Sequence, residues 1–228
     1  MNVGDDLATT LRVIEGAAHF MVTTRDPICQ ERIVHMGWQP EGDNVYVRKL
    51  SASIDITRIH EHFRRHLKDM VLQSARLRPV PWDAALEEFL ARVEDTSLDW
   101  WLYGSAALAV RGLDIAPRDL DFAVDDAHHA GRIFNDLLVE PVTGPLDWVA
   151  QWIGRAFHGA LFEWSARAVP AVELAPNEFG RWAADRLQTI TWQGHRVRVP
   201  PLEAQLAVAL HRGLTDRAAM IRQLMPPD

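Results

Sequence analysis

Two short stretches with the character of β-strands, joined by a glycine-serine turn and a small helix, occupy residues 98–124. The apolar run Leu98–Tyr103 is short enough to be a buried strand, and Gly104-Ser105 ends it and starts a helix of small residues. In Asp119–Val124 polar and apolar residues alternate, which is typical of a strand with one buried face. The pattern therefore predicts a strand–helix–strand unit.

The alternation in the second strand places two carboxylates side by side. Side chains at positions i and i+2 share a face, so Asp119 and Asp121 point one way and Leu120 and Phe122 point the other. A pair of carboxylates binds Mg²⁺ together with substrate phosphates. The free backbone N–H groups of a Gly-Ser turn at the start of a helix suit a phosphate. The unit predicts metal-assisted transfer of a phosphate-containing group, whereas each part alone is also compatible with a solvated strand face.

The order of these motifs is specific. Gly104-Ser105 after an apolar strand, thirteen further residues and then Asp–Leu–Asp–Phe resembles the signature of the DNA polymerase β-like nucleotidyltransferase superfamily. The resemblance is greatest to its small prokaryotic branch of antibiotic nucleotidyltransferases and nucleotidyltransferase toxins, and it covers residues 97–225. It implies an α/β (α+β) fold in which helices flank a mixed sheet. It also implies transfer of a nucleoside monophosphate from an NTP, ATP among the candidates, with two Mg²⁺ ions.

The resemblance also implies a third carboxylate on a later strand. Glu163, in the predicted strand His158–Ala166, fits this place best, and Glu173 is the competing candidate. A carboxylate in so apolar a strand is costly unless it is paired or bound to a metal. Its role would be to join Asp119 and Asp121 as a metal ligand or to take the proton of the acceptor hydroxyl.

Several other residues are candidates for contacts with the triphosphate. The resemblance implies such contacts from Gly104 and Ser105 and from an arginine in the closing helices, where Arg212 would be joined by Asp216. An ordinary i, i+4 salt bridge explains that last pair equally well. Arg118 and Arg111 lie near the aspartates in sequence, and each is also explained as a surface arginine.

The first part of the chain shows no catalytic pattern. We predict a domain boundary near Pro79, with a small N-terminal α/β extension over residues 1–78 and the nucleotidyltransferase-like domain over residues 79–228. The elements predicted in the extension are a helix over Asp5–Ala18, a strand over His19–Thr23, a helix from Asp26-Pro27 to Gly37, a strand over Val45–Leu50 and a long helix over Ile54–Leu77.

The long helix carries a basic face and three histidines. A solvated face explains the basic residues better than contact with phosphate or RNA does. The spacing of the histidines does not match a zinc-protease motif, which predicts that they lie on the surface. The basic residues are Arg58, Arg64, Arg65, Lys68, Arg76 and Arg78, and the histidines are His60, His62 and His66.

The remaining periodicity predicts helices that surround the core, with one hairpin. Trp148 and Trp152 share a face of one of these helices, which is more typical of core packing than of stacking on a base. The predicted elements are helices over Trp82–Val93, Ala127–Leu138 (capped by Asp125-Asp126), Leu146–Ile153, Asn177–Leu187, Leu202–Leu210 and Thr215–Met225, and a hairpin of Gln188–Trp192 with His195–Val199.

Composition narrows the class of protein. The net charge of −7 argues against a basic nucleic-acid module, and a single cysteine, Cys29, allows no internal disulfide. No apolar run approaches the roughly 20 residues of a membrane span. We therefore expect a soluble cytoplasmic protein with no membrane partner. Whether it forms a homodimer is left open.

Three functions remain open at this stage. The acceptor is a small molecule such as a cationic antibiotic, which the acidic net charge suits, or it is tRNA or protein, as for the toxins. The alternative from another class is a non-catalytic nucleotide- or partner-binding module that kept the fold and lost turnover.

Overall fold

The computed structural model describes residues 2–51, 53, 55–146, 150–173 and 176–225. The strands in this part of the chain are β1 (Ala8–Ile14), β2 (Ala17–Thr23), β3 (Gln39–Pro40), β4 (Val45–Ser51), β5 (Trp100–Tyr103), β6 (Asp119–Val124), β7 (Leu138–Thr143), β8 (Ala150–His158), β9 (Ala160–Ala168), β10 (Gln188–Trp192) and β11 (His195–Val199). The helices are α1 (Pro27–His35), α2 (Ile56–Ser74), α3 (Trp82–Val93), α4 (Gly104–Ala109), α5 (Ala127–Ile133), α6 (Pro170–Glu173), α7 (Arg181–Ala184), α8 (Leu202–His211) and α9 (Thr215–Leu224).

The N-terminal extension begins with a β-hairpin, so the predicted helix over Asp5–Ala18 is wrong. β1 and β2 pair antiparallel up to Ile14 and Ala17, and the two residues between them, Glu15 and Gly16, both have positive φ, at 51° and 81°. This is the backbone geometry of a tight hairpin turn. Leu7 and Leu11 pack against the core, whereas Ile14, the third residue of the predicted helical stripe, is exposed on the strand.

The hairpin belongs to a four-stranded antiparallel sheet with the order β1-β2-β4-β3. α2 packs against β1 of this sheet, and α1 packs against α2. The predicted start of α1 is confirmed, because Asp26 Oδ1 accepts hydrogen bonds from the backbone N–H groups of Ile28 and Cys29 at 2.9 and 3.2 Å. α2 also packs against β7 of the second sheet. The extension and the rest of the chain therefore share one continuous hydrophobic core.

Two histidines of α2 lie in that core, which corrects their placement on the surface. His60 is 7% exposed and its Nε2 is 3.1 Å from Thr9 Oγ1, while His62 is 6% exposed and its Nδ1 is 3.2 Å from the carbonyl oxygen of Leu138. Each ring therefore packs on apolar neighbours and places one nitrogen on a buried polar atom, as a neutral imidazole can. The sequence pattern alone did not show which face of α2 they occupy.

The second sheet has five strands in the order β5-β6-β9-β8-β7. β6 and β9 are parallel, and the other neighbours are antiparallel. The predicted mixed sheet flanked by helices is thus confirmed. The helix predicted over Leu146–Ile153 is wrong, because β8 begins at Ala150 and pairs with β9. Trp152 lies on this strand, 4.7 Å from the ring of His128, and Trp148 lies outside the described residues.

The apolar face of β6 anchors the core. Phe122 is fully buried and its ring stacks on Phe89 of α3, with centroids 3.6 Å apart and planes within 4° of parallel. Phe134 and Phe162 pack around the same ring of Phe89. This packing fixes the orientation of β6, so its other face, with Asp119 and Asp121, must point away from the core.

The C-terminal elements support the same unit. The hairpin of β10 and β11 and the helices α8 and α9 form as predicted, within one residue at their ends. α8 and α9 pack on α4 through a small apolar cluster of Leu108, Ala209, Ala218 and Ile221. None of the described helices is long and apolar enough to cross a membrane.

Two predicted helices are shorter than their patterns suggest. The helix from Ala127 ends at Ile133 and continues as a 3-10 turn over Asn135–Leu137. In the segment predicted as Asn177–Leu187 only α7 is helical, because Asn177 Oδ1 accepts hydrogen bonds from the N–H groups of Phe179 and Gly180 and holds a turn.

Candidate active site

The candidate site lies where β5, β6 and β9 meet. Asp121 sits between Tyr103 of β5 and Glu163 of β9 in the strand registers, and Asp119 sits beside Leu161. Because β6 and β9 are parallel and in register, Glu163 shares the sheet face of the aspartates. The alternation along both strands therefore brings the three predicted carboxylates to one surface.

This surface is the floor of a cavity of about 1280 Å³. The seven residues that the sequence assigned to metal and triphosphate all line it: Gly104, Ser105, Arg118, Asp119, Asp121, Glu163 and Arg212. Glu173, Arg111 and Asp216 are not among the lining residues. Of the two candidates for the third carboxylate, the structure therefore places Glu163 at the site.

Gly104 approaches the aspartates so closely that no side chain fits. Its φ is +69°, and a Cβ atom built there would lie 2.6 Å from Asp121 Oδ2. A glycine is needed both for the left-handed backbone and for the close contact. The start of α4 therefore lies directly against the carboxylate pair. A group bound between α4 and the carboxylates would contact both.

Burial and crowding disfavour the charged form of the two aspartates. Burial raises the pKa of Asp121 well above its usual range, and the nearby Asp119 and Glu163 raise it further. Burial is also the main reason why the pKa of Asp119 is raised. Such crowded, poorly solvated carboxylates are stabilised by a bound cation.

The donor set fits Mg²⁺ as a pair of oxygen ligands rather than as a complete cage. Among the described residues no three His, Cys, Asp or Glu side chains are grouped so that they could hold a metal ion. Mg²⁺ is commonly held by one or two carboxylates, with substrate phosphates and water as the other ligands. Asp119 and Asp121 fit that mode, and a metal-bound Glu163 stays a prediction.

Glu163 belongs instead to a chain of alternating charges that runs into the extension. Its Oε2 accepts a hydrogen bond from Arg155 Nε at 2.6 Å, and Arg155 Nη1 donates to Glu140 Oε2 at 2.7 Å. Glu140 Oε1 in turn accepts from Arg48 Nη1 at 2.5 Å. Arg48 belongs to β4, so this network ties the carboxylate at the site to the N-terminal sheet. Glu163 itself lines the cavity.

Two charged residues of the site were missed from the sequence. Glu178 is 7% exposed, and its Oε1 accepts hydrogen bonds from Gly104 N–H at 3.1 Å and from Gln205 Nε2 at 3.2 Å. It thereby braces the glycine turn, although its segment was predicted as helix. Arg217 of α9 lines the cavity, and it acts with Arg212 to lower the pKa of Asp119 against the effect of burial. Nothing in local sequence singled out either residue.

Other predicted contacts have structural roles. Arg111 Nη2 donates to Gln188 Oε1 at 2.8 Å and to the carbonyl oxygen of Pro200 at 2.6 Å, which ties α4 to the β10–β11 hairpin. Asp125 and Asp126 remain beside the N-terminus of α5, where Asp126 caps the helix as predicted. Among the described residues, no ion pair joins Arg212 to Asp216.

Most basic side chains of α2 bond to other groups of the protein at its surface. This is the behaviour expected of a solvated helix face rather than of a binding surface. Arg58 donates to Asn135, Arg64 pairs with Glu61, and Lys68 pairs with Asp5 at 2.7 Å. Arg76 and Arg78 follow the helix and line the cavity. The two ends of this face therefore differ, and only the C-terminal end reaches the site.

No protein-family model matches the chain, and no curated protein does. Three solved structures are similar to part of it. The protein TM1012 from Thermotoga maritima, a candidate nucleotidyltransferase, covers 63% of this chain and 91% of its own length at 17% identity and a TM-score of 0.47.

The second is ANT(2")-Ia in complex with adenylyl-2"-tobramycin, which covers 63% of this chain and 88% of its own length, at 14% identity and a TM-score of 0.42. The third is an antigenic nucleotidyltransferase-like protein from Paracoccidioides brasiliensis, which covers 64% of this chain and 77% of its own length, at 12% identity and a TM-score of 0.43.

Proposed function

We propose that the protein is a metal-dependent nucleotidyltransferase that moves a nucleoside monophosphate from an NTP to an acceptor hydroxyl. The observation that supports this most is the half-buried pair Asp119 and Asp121 on the cavity floor, with Gly104 closed against it. Two carboxylates with raised pKa values beside a backbone turn and several arginines suit a cation and a polyphosphate together.

Each residue has a distinct role in this proposal. Asp119 and Asp121 would hold Mg²⁺, which supplies charge stabilisation to the attacking and leaving oxygens when bound. Ser105 would contact the triphosphate through its backbone N–H and hydroxyl groups, and Gly104, whose own N–H donates to Glu178 Oε1, would allow the triphosphate to approach the backbone closely. Arg118 and Arg212 would neutralise phosphate charge from two sides of the cavity.

The reaction is a single displacement at the α-phosphorus. The acceptor oxygen forms the new bond to phosphorus, the bond to the β-phosphate oxygen breaks, and pyrophosphate leaves with that electron pair. Glu163 Oε1 would take the acceptor proton, since Arg155 holds Oε2. The Arg155 contact would keep the base in place.

In this proposal the acceptor is a small molecule such as an antibiotic, or it is tRNA or protein. A non-catalytic nucleotide- or partner-binding module is the alternative that would replace the proposal. A cytoplasmic location and a homodimer also stay predictions. The test is transfer of label from α-³²P NTPs, with Mg²⁺, to a panel of antibiotics and tRNAs. We expect transfer by the wild type, none by Asp121→Asn, and full transfer by Asp114→Asn, which changes an exposed aspartate outside the cavity. Equal transfer by Asp121→Asn would refute the metal site.

A further inference from the structure

The cavity has two sides, which the strand order separates. Gly104 follows β5, and β5 lies on one side of β6, whereas Glu163 lies on β9 on the other side. The α2–α3 connection belongs to the β9 side, because Gln73 Nε2 donates to the carbonyl oxygen of Gly159 at 2.6 Å in the turn between β8 and β9. An acceptor that gives its proton to Glu163 would therefore lie against this side of the cavity.

The lining of the acceptor side is basic. Gln73, Arg76, Arg78 and Trp82 line the cavity there, and residues 73–82 include no acidic side chain. Arg78 forms an ion pair with Asp69 of α2. No ion pair to Arg76 occurs among the described residues, and its side chain is exposed. A free guanidinium at this edge would repel a polycationic acceptor and attract an anionic one.

The backbone at Arg76 is strained. Its φ is +59°, and the helix ends in a motif in which Arg76 N–H donates to Gln73 O and Leu77 N–H donates to Leu72 O. Glycine is the usual residue at this left-handed position, because an arginine there is strained. A glycine would end the helix there without strain, so a substitution to glycine tests the charge of Arg76 rather than the fold.

We propose that Arg76 binds a phosphate group of the acceptor, so that the protein's acceptor is a phosphate-bearing hydroxyl compound rather than a cationic one. This inference rests on the proposed function, since it assigns the second substrate of the same site. Arg78 would add to the positive potential without a direct bond of its own. The phosphate belongs to a small nucleotide-like molecule or to a nucleic-acid strand, and the two sources differ in the test.

Arg167 provides a matched control for Arg76. It is also an exposed arginine with positive φ, at 56°, but it lies near the C-terminal end of β9 and does not line the cavity. Replacing either arginine by glycine removes a charge and relieves the same kind of strain. Both Arg76→Gly and Arg167→Gly should therefore melt at or above the wild-type temperature. Only Arg76→Gly should lose acceptor binding.

The experiment is calorimetry on protein loaded with Mg²⁺ and α,β-methylene-ATP, which cannot transfer its nucleotide. The probes are adenosine monophosphate, adenosine, a short single-stranded RNA and an aminoglycoside. We expect a phosphate-bearing probe to bind more tightly than adenosine and the aminoglycoside. Its affinity should fall about 10- to 100-fold in Arg76→Gly, as for loss of one charge-assisted hydrogen bond, and stay unchanged in Arg167→Gly.

The outcomes are distinguishable. Binding of adenosine monophosphate supports a small acceptor, and binding of the RNA alone supports a strand. The inference is overturned if the loaded protein binds no phosphate-bearing probe, if it prefers the aminoglycoside, or if Arg76→Gly and Arg167→Gly behave alike. If Mg²⁺ and α,β-methylene-ATP do not bind at all, the proposed function fails and this inference fails with it.

Discussion

Adding one methyl group at Gly104 should damage the site more than the fold. An alanine there keeps a φ of +69°, which costs about 1–2 kcal/mol for a residue with a side chain. Its Cβ would also lie 2.6 Å from Asp121 Oδ2, which is about 0.8 Å short of ordinary contact. The carboxylate must move by that amount, and a misplacement of about 1 Å can reduce a rate about 100-fold.

The control is Gly112→Ala. Gly112 has a φ of +93°, and a Cβ atom there would meet nothing within 4 Å, so this variant adds the backbone strain without the contact. The assays are urea unfolding and Mg²⁺-dependent pyrophosphate release in the presence of acceptor. We expect both variants to lose about 1–2 kcal/mol of stability and only Gly104→Ala to lose about 100-fold in rate. Equal rates in the two variants would refute the close approach as the cause.

Further variants test the buried polar groups. Glu140→Gln leaves Arg48 and Arg155 without the carboxylate between them, so urea unfolding should show a loss of about 3–5 kcal/mol, and a loss below about 1 kcal/mol would contradict this. Burial lowers the pKa of His62 below its ordinary value of 6.5, so below that pH the unfolded chain binds a proton that the folded chain does not. The free energy of unfolding should fall as the pH decreases from 7 to 5, and less steeply in His62→Gln. Burial raises the pKa of Cys29 to about 11, so a thiol reagent should modify it at pH 7 only after unfolding.

The sequence was most informative where a regular pattern met a clear boundary. Asp119–Val124 and Trp82–Val93 lie at their predicted bounds, because strict alternation and a helical apolar stripe each allow one orientation of a buried face. Alternation predicted that Asp119 and Asp121 share a face, and the strand register adds Glu163 to that face. Gly104, Ser105, Glu163 and Arg212 were predicted for the site from the family resemblance, and all four line the cavity with the aspartates.

Local pattern failed where a turn decided the structure. The Glu15-Gly16 turn makes a hairpin of a segment with helical apolar spacing, and Asn177 turns the chain where a helix was predicted. A correct prediction of either segment depends on its turn residues rather than on apolar periodicity. Which face of α2 carries His60 and His62 depended on packing against strands more than 35 residues away in sequence.

The Glu163 network could not be predicted from sequence for a related reason. Glu163, Arg155, Glu140 and Arg48 come from four strands of two sheets, and only the strand order shows that they alternate in charge across the molecule. Glu178 likewise became part of the site through one hydrogen bond to Gly104 N–H. Contacts between residues so far apart in the chain produce no periodic pattern in the sequence.

The most direct test of the account is calorimetry of NTP binding with and without Mg²⁺. The proteins are the wild type, the double variant Asp119→Asn/Asp121→Asn, and Asp114→Asn as a control that makes the same substitution at one aspartate outside the cavity. The account predicts Mg²⁺-dependent binding by the wild type and by Asp114→Asn, and its loss in the folded double variant. Undiminished Mg²⁺-dependent binding by the double variant, or none by the wild type, would contradict it.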